Sequence, residues 1–132
     1  MILHSRQGSG SFIENSRLEI PALSGYEGLQ LAGFPASLGL MYSRSKRIGN
    51  TVSDTRTTGS IAYELALVSQ GIFEYTIHTN PRIWDVAGGI AILLEAGGEC
   101  IAKDNNNKGR VNSQIFLPNW RSGETSFQLV RY

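Results

Sequence analysis

Apolar positions are weakly patterned over the first fifty residues and regular after them. From Gly59-Ser60 onward, Ile61, Leu65 and Val68 recur at i, i+4 and i+7, and Ala62, Ala66 and Leu67 widen the stripe. That spacing predicts a helix with one face turned to a core. Gly71 stops it as the residue just past the last turn. Residues 72–78 then alternate, with Ile72, Glu74, Thr76 and His78 on one face of a strand and Phe73, Tyr75 and Ile77 on the other. After Asn80-Pro81 the pattern predicts a second helix over 83–96, with Val86, Ile90, Leu93 and Leu94 on its buried side and Gly97-Gly98 at its end. Residues 52–57, 99–103, 114–117 and 127–131 read as strands.

The first third is β-rich. Residues 8–12 read as a strand in which Gly8-Ser9-Gly10 allows close backbone approach, 14–16 as a turn, 17–20 and 29–33 as strands, and 21–28 as loop. Residues 36–48 carry Leu38, Leu40, Met41 and Ile48 at loosely helical spacing. Asn105-Asn106-Asn107-Lys108-Gly109 reads as a surface turn between strands. No repeat and no Pro/Ser-rich linker divides the 132 residues, so one domain over 1–132 is expected. Strand, helix, strand, helix, strand is the order of a layered α/β domain, a sheet covered by two main helices.

Composition narrows the partners. With 41% hydrophobic and 17% charged residues the chain is ordinary for a globular domain. A net charge of +1 provides no field to recruit nucleic acid or an anionic membrane. Arg44, Lys46, Arg47 and Arg56 gather locally, as a solvated surface does. The lone Cys100 can form neither an intrachain disulfide nor a Cys-based zinc site, which fits a reducing compartment. The start lacks a signal peptide's apolar core, and no apolar run approaches the ~20 residues that cross a bilayer. A cytoplasmic protein is expected.

Four features bear on chemistry. Arg56-Thr57-Thr58-Gly59-Ser60 leads from a strand into a helix. The unpaired N–H groups there can hold an anion or a sugar hydroxyl, or Ser60 or Thr58 simply caps the helix. Trp84-Asp85 opens the second helix, where Asp85 either complements the helix dipole or acts as a ligand for a hard cation such as Mg²⁺, with Trp84 walling the site. Gly88-Gly89 inside that helix costs roughly 1 kcal/mol per glycine against alanine, which points to close approach of another backbone. His78 ends a strand seven residues before Asp85, as a structural residue or as part of a site. Phosphate-loop, dinucleotide-loop and His-Glu-x-x-His patterns are all absent.

Taken together, Arg56-x-x-Gly59-Ser60, Gly71-Ile72-Phe73-Glu74-Tyr75, Trp84-Asp85-Val86-Ala87-Gly88 and Glu95-Ala96-Gly97-Gly98 resemble the C-terminal half of the inositol monophosphatase family in order and spacing. Gly8-Ser9-Gly10-Ser11-Phe12 through Leu18 resembles that family's Gly-x-Gly-Ala-Phe-x-Asn segment, and the likeness covers roughly residues 6–104. The resemblance implies the C-terminal domain of the inositol monophosphatase/fructose-1,6-bisphosphatase fold. It also implies a Mg²⁺-dependent phosphomonoesterase for a small phosphorylated sugar or inositol. Asp85 would be a metal ligand, and Gly59, Ser60, Ile61 and His78 would contact substrate. His78 stands where inositol-selective members carry Glu, which leaves inositol, another phosphorylated sugar and a nucleotide equally open.

The family's first-domain ligands, a Glu-Glu pair and Asp-Pro-x-Asp-Gly-Thr, do not occur in these 132 residues. The expectation is therefore a second domain without its metal-binding partner domain, with no complete catalytic set and weak or absent Mg²⁺ binding alone. The face that would meet the missing domain should be apolar, favouring a homo-oligomer. A non-catalytic domain for binding or assembly is the competing expectation.

Overall fold

The computed structural model describes residues 1–20, 31–33, 54–79, 81–103, 108–111 and 126–130. The expected loop at 21–28, helix at 36–48 and strand at 114–117, with Arg44, Lys46 and Arg47, lie outside them.

The described residues form two sheets. β1 (Leu3–Arg6), β2 (Gly10–Ile13) and β3 (Ser16–Leu18) form an antiparallel meander. The larger sheet contains β4 (Leu31–Gly33), β5 (Asp54–Arg56), β6 (Tyr75–Thr79), β7 (Cys100–Lys103), β8 (Lys108–Val111) and β9 (Ser126–Val130), in the order β5-β4-β6-β9-β7-β8. β4 pairs parallel with both β5 and β6, while the β9, β7 and β8 side is antiparallel. The expected α/β layering with two main helices is what the chain adopts, α1 being Ile61–Ser69 and α2 Ile83–Glu95.

Both helices stop as their glycines predict. Gly71, at φ +72°, gives its N–H to Val68 O, and Ile72 N–H reaches Leu67 O. Gly97, at φ +92°, and Gly98 repeat that double bond onto Leu94 O and Leu93 O. The left-handed residue turns the chain while two orphan carbonyls are satisfied. The stripes then meet. Leu65, Leu67 and Val68 of α1 pack with Val86, Ile90 and Leu93 of α2 and with Phe73 and Cys100 in one core. Burial pushes the Cys100 thiol up to about 12, so it stays protonated. Among the described residues no helix is long and apolar enough to cross a membrane.

Several boundaries differ from the sequence reading. β6 begins at Tyr75 instead of residue 72, because Ile72 and Phe73 are used in closing α1. Residues 8–12 are not one strand: Gly8, at φ +73°, belongs to the β1–β2 turn, and β2 starts at Gly10. β1 and β8 were not anticipated as strands, and residues 108–109, read as the end of a turn, begin β8.

The β1–β2 turn also explains two motifs at once. Gly8 and Gly10 donate their N–H groups to the two carboxylate oxygens of Glu95, at 2.9 and 3.0 Å, and the Ser11 hydroxyl donates to Ile92 O at 2.6 Å. The glycine pair of one motif is thus anchored to the Glu of Glu95-Ala96-Gly97-Gly98, clamping the meander to the end of α2. The Gly8 and Gly10 amides, aided by Arg17, hold the Glu95 carboxyl below its ordinary value of 4.5. A group held low in the folded state contributes stability that is in place above its unfolded pKa and lost as pH falls through the folded one. Thermal melts of Glu95→Gln should therefore show a lower Tm than wild type at neutral pH and a shallower fall on acidification; parallel pH profiles would refute this role.

Candidate functional site

Because β4, β5 and β6 run parallel, the carboxyl ends of β5 and β6 lie on one edge of the sheet. β5 leads into α1 and β6 into α2, so both helix N-termini open at that edge. In an open α/β sheet, this is where ligands bind.

The turn before α1 is organised by its own sequence. Gly59 adopts φ +79°, and a side chain there would meet nothing within 4 Å, so conformation and not space requires glycine. Ser60 is the N-cap, and its hydroxyl accepts the Tyr63 N–H at 3.4 Å. Capping by Ser60 is thus real. Gly59 and Ser60 are exposed, and Ile61 is half-buried against the core. Arg56 does not reach across the turn: its guanidinium pairs with Asp54 in the same strand and donates to Thr55 O.

The residue that sequence reasoning missed is Glu64. It is 2% exposed, in the first turn of α1, and it ties that helix to the 58–60 turn and to β6. Its Oε1 accepts the Thr58 N–H at 3.0 Å and the Thr58 hydroxyl at 2.9 Å. Its Oε2 accepts the Thr76 hydroxyl at 2.7 Å and lies 3.4 Å from His78 Nε2. His78 Nε2 is also 2.9 Å from Thr76 Oγ1. Thr76 has one proton; given to Glu64, its shortest partner, it leaves the Thr76 oxygen to accept from His78, which assigns the Nε2–H tautomer from the network. Burial pushes the His78 pKa down, against the opposing pull of Glu64.

The signal for Glu64 was available. It stands three residues after Ile61 and four before Val68, inside the apolar stripe, where a carboxylate needs partners to be buried.

His78 is 3% exposed, with Nε2 turned inward. It is joined to the 58–60 turn through Thr76 and Glu64, so the structure brings those sequence candidates into one network. Trp84 and Asp85 stand in the first turn of α2. Trp84 is 73% exposed, with the Arg82 guanidinium 5.8 Å from its ring centroid. Asp85 is half-buried, and its N–H bonds Arg82 O. Among the described residues no three His, Cys, Asp or Glu side chains are grouped to hold a metal ion. Mg²⁺ takes several oxygen ligands, and Asp85 is one carboxylate at this edge.

The fold and edge define an α/β unit on a mixed sheet, with two helix N-termini at the carboxyl ends of its parallel strands. The family description for inositol monophosphatases matches residues 3–128, and the chain belongs to that family. It is 28% identical over 100 residues to a fructose-1,6-bisphosphatase/inositol-1-monophosphatase of Aquifex aeolicus, covering 70% of this chain and 37% of that protein. It is 26% identical over 118 residues to an inositol-1-monophosphatase of Caulobacter vibrioides, covering 84% and 46%. The crystal structure of inositol monophosphatase II from Staphylococcus aureus superposes with a TM-score of 0.68 at 24% identity, over 98% of this chain and 47% of that one, which shows a shared fold. The chain spans less than half the length of each of these proteins.

Proposed function

We propose that these residues are the C-terminal half of a Mg²⁺-dependent phosphomonoesterase acting on a small sugar or inositol phosphate. The observation that carries this reading is the shared edge: the Gly59-Ser60-Ile61 turn and the Trp84-Asp85 turn open on the same side of the sheet, in a chain of this family. In the proposal Asp85 supplies one metal ligand, Gly59, Ser60 and Ile61 meet the sugar, His78 backs the site, and Trp84 forms its wall. Mg²⁺, when bound, supplies activation of water and stabilisation of the leaving oxygen. The remaining ligands come from a domain that these 132 residues do not encode. A homo-oligomer, formed through the face that the other domain would cover, is part of the same reading.

The test is phosphate release from inositol 1-phosphate. The purified 132-residue chain with Mg²⁺ should give none above the blank. Adding a proximal family domain that bears the Glu-Glu and Asp-Pro-x-Asp-Gly-Thr motifs should produce turnover, and Asp85→Asn should remove it. Robust Mg²⁺-dependent release by the chain alone would sink the proposal. Failure of every proximal domain to restore activity would favour the non-catalytic binding role.

A further inference from the structure

We propose that Glu64 is a positioning residue, a latch that sets the Thr58-Gly59-Ser60 turn through its reach and not through its charge. This rests on the reading of that turn as the sugar-phosphate contact. The Glu64 carboxylate sits in a socket built by three segments. Gly33 of β4 floors it: a Cβ on Gly33 would lie 2.7 Å from Glu64 Oε2 and 2.7 Å from Thr76 Oγ1. Thr76 and His78 of β6 form one wall, and Thr58 closes the top.

The division of labour is by oxygen. Oε2 is committed to the sheet through Thr76, and Oε1 to the turn through both donors of Thr58. Thr58 in turn accepts the Ser60 N–H at 3.2 Å on its hydroxyl oxygen. The exposed cap at Ser60 is therefore tied to the buried sheet through Thr58 and then Glu64. Gly59 needs this, because a left-handed glycine between two exposed residues has no intrinsic preference for one conformation. The tether spans the carboxylate's full width, so shortening the side chain by one methylene while Oε2 stays on Thr76 withdraws Oε1 from Thr58.

Hydrogen exchange of the Thr58 and Ser60 amides, followed by NMR on the full chain, tests the latch. Glu64→Asp keeps the charge and loses the reach; Glu64→Gln keeps the reach and an Oε1 acceptor and loses the charge. If opening of the turn is local, Thr58 and Ser60 should exchange at least about tenfold faster in Glu64→Asp and within about threefold of wild type in Glu64→Gln, with Leu65 and Ile90 unchanged in both. Residues that only needed a buried charge balanced would show the reverse order. Equal exchange in both variants, or uniform acceleration that includes Leu65 and Ile90, overturns the latch.

Titration of the same samples with inositol 1-phosphate separates the latch from the reading beneath it. Wild type and Glu64→Gln should show amide shifts at residues 59–61, with affinity at least about tenfold weaker in Glu64→Asp, a loss of about 1.4 kcal/mol. No shift at 59–61 in wild type overturns the reading of the turn, and the positioning role falls with it. Normal wild-type binding with equal affinity in Glu64→Asp overturns the latch alone.

Discussion

Gly33→Ala should be among the most damaging single substitutions in this chain, lowering stability by about 2–4 kcal/mol in chemical denaturation. The added methyl is small, and no backbone strain is involved. The cost arises from what occupies the space. A Cβ on Gly33 would lie 2.7 Å from both Glu64 Oε2 and Thr76 Oγ1, and 3.0 Å from Glu64 Cδ. A flexible exposed carboxylate would swing away at little cost. Glu64 cannot, because displacing Oε2 breaks the Thr76 bond and drags Oε1 from Thr58. A buried carboxylate deprived of its donors loses charge-assisted bonds worth about 1.5–3 kcal/mol each. The explanation is checked by a double-mutant cycle. In a Glu64→Ala background the carboxylate is gone, and Gly33→Ala should then cost at least about 1 kcal/mol less, what remains being displacement of the buried Thr76 hydroxyl from His78 and Gly33 O. A Gly33→Ala penalty of the same size in both backgrounds would show that the methyl clashes with the sheet and not with the carboxylate.

This socket marks the limit of what the sequence made legible. α1 and α2 could be read because their stripes are continuous and each ends in a glycine that has to be left-handed. β6 could be read because Thr76 and His78 alternate with Ile77, and the structure places Thr76 and His78 on one face, within hydrogen-bond distance. β8 was not, because Lys108-Gly109-Arg110-Val111 lies at a sheet edge, where polar residues protect against unwanted pairing and erase the apolar alternation. β1 fails similarly, with Leu3 alone apolar in Leu3-His4-Ser5-Arg6. Parallel pairing of β4 with β5 and β6, which puts the two helix N-termini on one edge, is long-range and leaves no local trace. The turn at Gly59 and the carboxylate at Asp85 were each visible singly. Their common edge was not, and neither was the Gly33 floor, since a glycine that makes room for a distant side chain looks like any other.

Gly88 and Gly89 are adjacent, chemically identical and both inside α2, yet alanine should act on them with opposite sign. The spacing predicts close approach of another backbone at both; what approaches Gly89 is the Leu65 side chain, and nothing approaches Gly88. A Cβ on Gly88 would meet nothing within 4 Å, so its only cost is helical. Gly88→Ala should stabilise by about 0.5–1 kcal/mol. A Cβ on Gly89 would lie 2.5 Å from Leu65 Cδ1 and 2.7 Å from Leu65 Cβ, and Leu65 is fully buried in α1. The Cδ1 contact can yield by a rotamer change; the Cβ contact moves only if the helices separate. The same gain of helix propensity is then outweighed by overpacking of about 1–3 kcal/mol, and Gly89→Ala should be destabilising by about 1 kcal/mol net, Gly89→Val by about 3 kcal/mol. Thermal melts decide the sign, at roughly 4 °C per kcal/mol for a domain this size. Two stabilising alanines would mean that α1 and α2 tolerate a wider spacing. The consequence reaches past stability, because the Leu65–Gly89 contact sets the spacing of α1 and α2, which carry Ser60 at the N-cap of one and Asp85 in the first turn of the other. A Gly89→Val chain that still folds should therefore show altered amide shifts at Gly59-Ser60 and at Asp85, whereas Gly88→Ala leaves both as in wild type.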